Sequence, residues 1–532
     1  MKTTKTISKL VASAVVAVAS IVPSFAQADL GAACGCPPVA SRPIVSLSTL
    51  ATGGDLNAVS TILTCDKTWL LTEKIYVGTG KSLTINPGTV IKGRDINGVD
   101  ASALVVSRGG KIFAAGTESC QIVFTGELDP VDGTYAISNK GKWGGVVLLG
   151  TATNNLTTAN TLSAGGVNGV GFIEGYLAAE DRNKFGAGDV AFPTFDDNDN
   201  SGIMTYVSIR HGGEIVGTAN ELNGLTLGSV GRGTTLHHIE VMSNQDDGIE
   251  FFGGTVDLKY GSVLFNDDDG FDWDLGWTGR GQFWFIVKTD QGTSAGGDNG
   301  FESDGDDQKI NAALLSNPTV YNATYLGSNN INGNGTQKGR GIEGKEQTKG
   351  TIRNSVIANY QTGFNLADDA TRPGGTDAYD NWVAGTFKVE CNTFVGNTNM
   401  FRVNNVNVVA LSADENKFFA DGNISLATLP GFDFIHAMNT TTNAVTDTYD
   451  AVPNPALGST CTVAPVDGFF TTANYRGAFE TGKKSWLSNY SANALFDLEN
   501  GLVACPTDIN VDGITNTVDF LQLVGSFNQS CD

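Results

Sequence analysis

The sequence predicts an all-β parallel β-helix, a solenoid of stacked coils, and three observations carry that prediction. A short acidic phrase returns three times, as Asp246-Asp247-Gly248-Ile249-Glu250, Asp268-Asp269-Gly270-Phe271-Asp272 and Asp298-Asn299-Gly300-Phe301-Glu302, with weaker echoes at Gly341-Ile342-Glu343 and Gly363-Phe364-Asn365. The shared glycines stand at 248, 270, 300, 341 and 363, so a gap of 22 recurs and is lengthened in places, as in a repeat array with loop insertions. The 67 glycines outnumber the 14 prolines, and Val, Ile, Thr and Phe gather in short groups between Gly, Asn and Asp, which is the composition of many short strands joined by tight turns. Those groups are only two or three residues long at their centres. Strands so short bury a face only by stacking coil on coil, about 4.8 Å apart.

Taken in order, the chain opens with Lys2, Lys5 and Lys9, an apolar run over Leu10–Val22 and Ala26-Gln27-Ala28, the pattern of a secretory signal peptide over residues 1–28. A lipid anchor on Cys34 is disfavoured, because Gly31-Ala32-Ala33 lacks a branched apolar residue three positions before the cysteine. Residues 29–64 form an N-terminal cap segment. All eight cysteines follow the cleavage point, and an even count in an exported chain favours disulfides. Cys34-Gly35-Cys36 could be read as a metal or redox pair, but no second Cys pair and no nearby histidine completes a zinc set. Cys505 and Cys531 bracket the last segment and are natural mates. The β-helix is expected over residues 65–430, starting with Trp69-Leu70-Leu71, Ile75-Tyr76-Val77 and Leu83-Thr84-Ile85. Residues 431–504 lose the repeat and carry the clusters Phe469/Phe470/Tyr475/Phe479 and Trp486/Tyr490/Phe496, read as an irregular cap that covers open strand edges.

Trp143-Gly144-Gly145-Val146, Asn223-Gly224-Leu225-Thr226-Leu227-Gly228, Phe251-Phe252-Gly253-Gly254-Thr255-Val256 and the closing Tyr475-Arg476-Gly477-Ala478-Phe479 together resemble a family of exported bacterial proteins, many known only as hypothetical or cell-surface proteins. The resemblance covers roughly residues 50–500. It implies a right-handed parallel β-helix and a secreted, extracellular or cell-surface life in a bacterium, with no established reaction.

The composition changes after Cys505. Over Asp508–Asp519, oxygen-bearing side chains stand at loop positions 1, 3, 5, 9 and 12 with glycine at 6, the arrangement a calcium loop needs to wrap six to eight oxygens around a hard cation. Asp508, Asn510, Asp512 and Asp519 are direct ligand candidates, Ile514 offers its carbonyl, and Asn516 acts through water. An apolar helical run follows. The loop resembles a dockerin-type calcium module over residues 505–532, with one loop where dockerins carry two in tandem, so calcium is the expected cofactor and docking to a protein partner the expected use.

A formal charge of −23 excludes phosphate-backbone binding, which needs clustered Lys and Arg, so no nucleic-acid partner is expected. No transmembrane segment is expected either. Three readings of the acidic phrases stay open for Asp246, Asp247, Asp268, Asp269, Asp298, Glu302, Asp304, Asp306 and Asp307: turn structure, calcium sites, or a catalytic or glycan cleft. Galacturonan hydrolases of this fold place a Gly-His-Gly and an Arg-x-Lys after their Asp pair, whereas here Arg210-His211-Gly212-Gly213 comes first. Lyases of this fold use an arginine base; Arg232, Arg280 and Arg340 are present, but no spacing singles one out. No catalytic residue is assigned. His237 and His238 are expected to flank a strand end and face opposite ways. The expected function is a calcium-stabilised structural or adhesive protein, able to self-assemble or meet a glycan, and the alternative is a polysaccharide lyase or glycoside hydrolase on the same scaffold.

Overall fold

The structure is a computed structural model that describes residues 30–492 except 165, 174–175, 177–179, 218–219, 289–298, 307–312, 328–338, 373, 405, 408–412, 428–437, 440–443, 446–460, 462, 482, 484 and 488–490. The expected leader, the calcium-loop candidates Asp508, Asn510, Asp512, Ile514, Asn516 and Asp519, and Cys505 and Cys531 all lie outside the described residues, as do Asp298 and Asp307.

Two long parallel sheets wind along one axis, of 18 and 13 strands among the described residues. In the smaller sheet the register runs Leu225↔Ile249↔Phe271↔Phe301↔Ile342↔Phe364↔Phe401, so each recurring phrase of the sequence is one coil and each phrase stacks in step on the next. The first rung starts earlier than expected: Ile44–Ser46 already pairs in parallel with Thr68–Leu71, inside the segment assigned to the cap, because Pro43 and the short 3-10 turn over Leu47–Leu50 leave only three residues to show a strand pattern. The last described rung is Ile424–Leu426. Among the described residues no helix is long and apolar enough to cross a membrane.

Inside the coils the stacked rows form one continuous core. Phe251 stacks on Trp277 at 4.1 Å and Phe271 on Trp284 at 4.1 Å, both pairs fully buried. The glycine of the repeated phrase exists for this core. A Cβ on Gly248 would stand 2.3 Å from Val263 Cγ1 and 2.6 Å from the carbonyl oxygen of Gly270, and one on Gly270 would stand 2.6 Å from Ile286 Cδ1. The missing side chain is the space into which the facing sheet inserts its inward residue.

Disulfides join Cys34 to Cys120, Cys36 to Cys65 and Cys391 to Cys461. The first two spend Cys34 and Cys36 on separate structural bridges, which closes the metal or redox reading of that pair. Arg42, 4 % exposed, helps close the same end by donating to the carbonyls of Pro37 and Gly88 at 2.8 Å each.

The aromatic segment near the C-terminus takes a different form from an end cap. Its described part, within 463–492, runs along the outer face of the larger sheet as a strap. Gln282 and Thr471 exchange two hydrogen bonds of 2.7 Å, Asn322 Nδ2 donates to Tyr475 O, Gly477 N to Asn354 O, and Ala492 N to the buried carboxylate of Glu240. Arg476, almost fully buried, bonds the carbonyl of Asn392, and Phe479 packs edge-on to Phe285. The strap thus covers the apolar row Met242, Leu264, Val287 and Leu326, which would otherwise face water.

Gly248→Ala is expected to destabilise the fold by about 1–3 kcal/mol through overpacking, and Val263→Ala in the same chain is expected to return part of that loss. A double-mutant cycle in guanidinium unfolding reads the coupling; fully additive effects would mean that Val263 is not what the glycine makes room for.

Candidate acidic ladder on the smaller sheet

Parallel register makes rows out of repeats. The first acid of each strand stacks as Thr226↔Glu250↔Asp272↔Glu302↔Glu343↔Asn365, all on the outer face of the smaller sheet. Four carboxylates therefore sit one coil apart. At an effective dielectric near 20, like charges about 5 Å apart repel by roughly 3 kcal/mol per pair, so the row needs compensation.

The partners are unequal along it. Lys345 Nζ pairs with Glu302 and lies 3.3 Å from Asp304, while Arg340 Nε pairs with Glu343 at 2.6 Å and Asn365 Nδ2 adds a 3.0 Å bond to that carboxylate. Asn223 Nδ2 donates to Glu250. Asp272, in the middle, has no cation of its own among the described residues, and its Oδ1 is fully covered with no hydrogen-bond partner among them, although the residue as a whole is partly accessible.

Two residues before each reference glycine's follower, a second row does different work. Asp247 Oδ1 accepts from Asp269 N at 2.8 Å, Asp269 Oδ1 from Asn299 N at 2.6 Å, and Asn299 Oδ1 from Arg340 N at 3.0 Å. Each side chain caps the turn amide of the next coil, a task asparagine performs as well as aspartate. Asp247 and Asp269 thus bring acidic groups where the turn needs only an acceptor. Asn244 and Asn266 brace the same turns, donating to the carbonyls of Asp247 at 2.7 Å and Asp269 at 2.5 Å.

The two rows converge. One oxygen each from Asp247, Glu250 and Asp272 lies within 4.8 Å of the others, and the same holds for Asp246, Asp247 and Asp268. Asp247 is 8 % exposed and Glu250 9 %. Burial pushes the Asp247 carboxyl well above the usual carboxylate range, and its neighbours Asp246, Asp269, Asp272 and Asp268 push the same way. Asp272 is pushed up to about 7, by burial first and then by Asp269, with Lys345 opposing. Glu343 also rises to about 7 through burial, against the pull of Arg340. In the preceding coil, Asn223 Oδ1 and Thr226 Oγ1 are buried without hydrogen-bond partners among the described residues, at 4 % and 1 % exposure. The site is rich in oxygen and short of hydrogen.

Other acidic and basic groups fall elsewhere. Asp196, Asp197 and Asp199 hold a loop by accepting from Asn198 N, Thr153 N and Thr151 Oγ1. Asp306 is fully buried, its carbonyl accepting from Arg372 at 2.9 Å. Arg280 is engaged by Asp257 and Asp467 beside the strap, and Arg232 is exposed, so of the three arginines only Arg340 reaches the ladder. His211 is fully buried, bonded to Asn139 O at 2.7 Å and lowered to about 4 mainly by burial.

His237 and His238 correct the expectation of a strand end. Both lie inside the strand Thr235–Met242, and their Nδ1 atoms are 3.0 Å apart. His238 has a φ of 53°, which breaks the alternation and turns both rings outward. Tyr206, Tyr260 and Phe283 share that left-handed conformation one coil apart, and His238 stacks between the two tyrosines at 4.2 and 4.3 Å. The residues that sequence reasoning passed over, Asn223, Thr226 and Asp272, become visible only when coils are superposed in register.

With divalent metal chelated, stability is expected to fall as pH rises from about 4 to about 7. Asp272 binds its proton more tightly folded than unfolded, so the folded chain holds more protons across that window and loses the advantage above it. Asp272→Asn should flatten the fall and melt above the wild type at pH 8 in EDTA, while differing little at pH 4. An unchanged pH slope would refute the assignment.

A family model described as "Pectate-lyase like beta helix domain" matches residues 54–428. A comparison with curated proteins gives no significant match. Among solved structures, the chain is similar to the Dettilon tailspike protein at 11% identity over 72% of each chain, with a TM-score of 0.20, a superposition too loose to carry an argument about function. The family match spans the coils from Ser60–Leu63 through the ladder to Ile424–Leu426, and on that ground the chain belongs to the pectate-lyase-like β-helix domain family.

Proposed function

We propose that this chain is an exported structural or adhesive β-helix protein whose ladder is held by calcium, and whose tail, through Asp508–Asp519, binds a further calcium and docks the solenoid to a protein partner. The observation that carries the reading is the Asp247, Glu250 and Asp272 cluster, together with the unpartnered buried oxygens of Asn223 and Thr226. Oxygens within 4.8 Å of one another can share one ion at about 2.4 Å, and calcium takes six to eight such ligands with little demand on geometry. Protonation is the other way to relieve the cluster, and it weakens as pH rises through the region of about 7 to which Asp272 is pushed. Three disulfides support an oxidising compartment and hence export.

One observation favours the second reading, a polysaccharide-degrading enzyme: a carboxyl pushed up to about 7 beside other carboxyls is the pairing that acid-base chemistry on glycans uses. The structural reading is preferred because the ladder's basic residues, Lys345 and Arg340, are already committed to Glu302 and Glu343.

Thermal melts of the full chain at pH 7 with and without calcium test this. Extracellular calcium modules bind at roughly 0.1–1 mM, and calcium at about 100 times the dissociation constant should add roughly 2.7 kcal/mol. The shift is expected to shrink strongly in Asp247→Asn/Asp272→Asn and to persist in Asp508→Ala/Asp519→Ala. An equal shift in the first variant would overturn the ladder site. Cleavage of any member of a glycan panel, abolished by Asp272→Asn, would replace the structural reading with the enzymatic one.

A further inference from the structure

We propose that a cavity at the other end of the same outer face, beside the insertion between the strands Val146–Leu149 and Leu225–Gly228, binds a neutral, hydroxyl-rich ligand the size of one sugar ring. The cavity measures about 370 Å³ and opens among the early coils, the loop at Ile96–Asp100 and the insertion. That volume falls in the usual range for small-molecule sites and, at the ~30 Å³ that liquid water takes per molecule, suits about a dozen heavy atoms.

Its walls are held rigid. The Arg182 guanidinium lies 3.9 Å over the Tyr76 ring and is tied to Gly53 O at 2.7 Å, Asp55 at 3.1 Å and Glu180 at 2.7 Å. Lys74 bonds the carbonyl of Val99 and sits 5.2 Å over the Tyr176 ring. Tyr176 lines the cavity, is 5 % exposed, and its hydroxyl has no hydrogen-bond partner among the described residues. A buried hydroxyl left unpaired costs about 1–3 kcal/mol, so a ligand oxygen that supplies the bond recovers that cost.

The wall chemistry selects the ligand class. Lys74 and Arg182 face Glu73, Asp100 and Glu180 around one space, so a ligand of either net charge would meet its own sign on one side. A neutral ligand that donates and accepts at several points suits both, and hydroxyl groups do both. Tyr76 and Tyr176 are 2 % and 5 % exposed and each carries a cation over one face, which leaves little ring surface for stacking, so recognition runs through hydrogen bonds. This favours a polyol ring over an aromatic one.

The test uses the full chain in excess EDTA, so that the ladder's calcium state does not enter, with the methyl α-glycosides of glucose, galactose and mannose as probes and benzyl alcohol as the aromatic control, read by ligand-observed NMR. At least one glycoside should bind saturably with a dissociation constant in the roughly millimolar range. Tyr176→Phe, with its melting temperature checked, should weaken it about tenfold, equivalent to ~1.4 kcal/mol. Arg182→Lys, which keeps the charge but loses the fork, should weaken it as well. The proposal fails if no glycoside binds saturably, if benzyl alcohol binds and the glycosides do not, or if both variants bind as well as the wild type.

Discussion

In-register parallel pairing is the constraint on which the rest of this molecule depends. It sets each residue about 4.8 Å from its equivalent in the next coil, so whatever one coil does is repeated along the axis. An apolar position becomes a row of the core, as from Leu225 through Phe271 to Phe364. A turn amide becomes a row of amides, capped by Asp247, Asp269 and Asn299 in succession. The same rule that stacks phenylalanine usefully stacks carboxylates at a cost.

The two outer faces meet that cost differently. The larger sheet carries an apolar row and is covered by a strap of its own chain, fastened by backbone-like bonds at Gln282, Asn322 and Asn354 and by the Cys391–Cys461 bridge at one end. On the smaller sheet the early rows are apolar as well, Tyr76, Val105 and Val147, and the insertion with Leu156, Tyr176 and Phe185 packs over them. Beyond Thr226 the row turns acidic, while the insertion still reaches the later coils through Asn155, which bonds the carbonyls of Leu275 and Gly305.

The acidic phrases serve three ends at once. Their glycine admits Val263 or Ile286 from the facing sheet, their second acid caps a turn, and their last acid enters the ladder. Only the last two involve charge, and only where aspartate stands in place of asparagine does the turn carry more negative potential than it uses. Asp247 is the clearest case, since Asn223 and Asn299 hold the equivalent place in other coils without a charge.

Much of this was legible in the chain itself. The spacing of Gly248, Gly270, Gly300, Gly341 and Gly363 determined the coil and its register, because a repeated backbone environment imposes a repeated residue choice, and the short apolar groups determined that coils stack in parallel. The sequence also marked the acids as a set. Only the tertiary structure decided which of them share a site: insertions of different length separate Glu250, Asp272 and Glu302 unequally in the chain while leaving them one coil apart in space. It alone decided that His237 and His238 turn to one side, since a single left-handed residue overrides strand alternation, and that the aromatic tail runs along the sheet, since that depends on which outer row is left apolar. Tyr176 and Arg182 carry no local pattern at all. They come together with Tyr76 because an insertion folds back over coils formed about a hundred residues earlier, a distance across which periodicity says nothing.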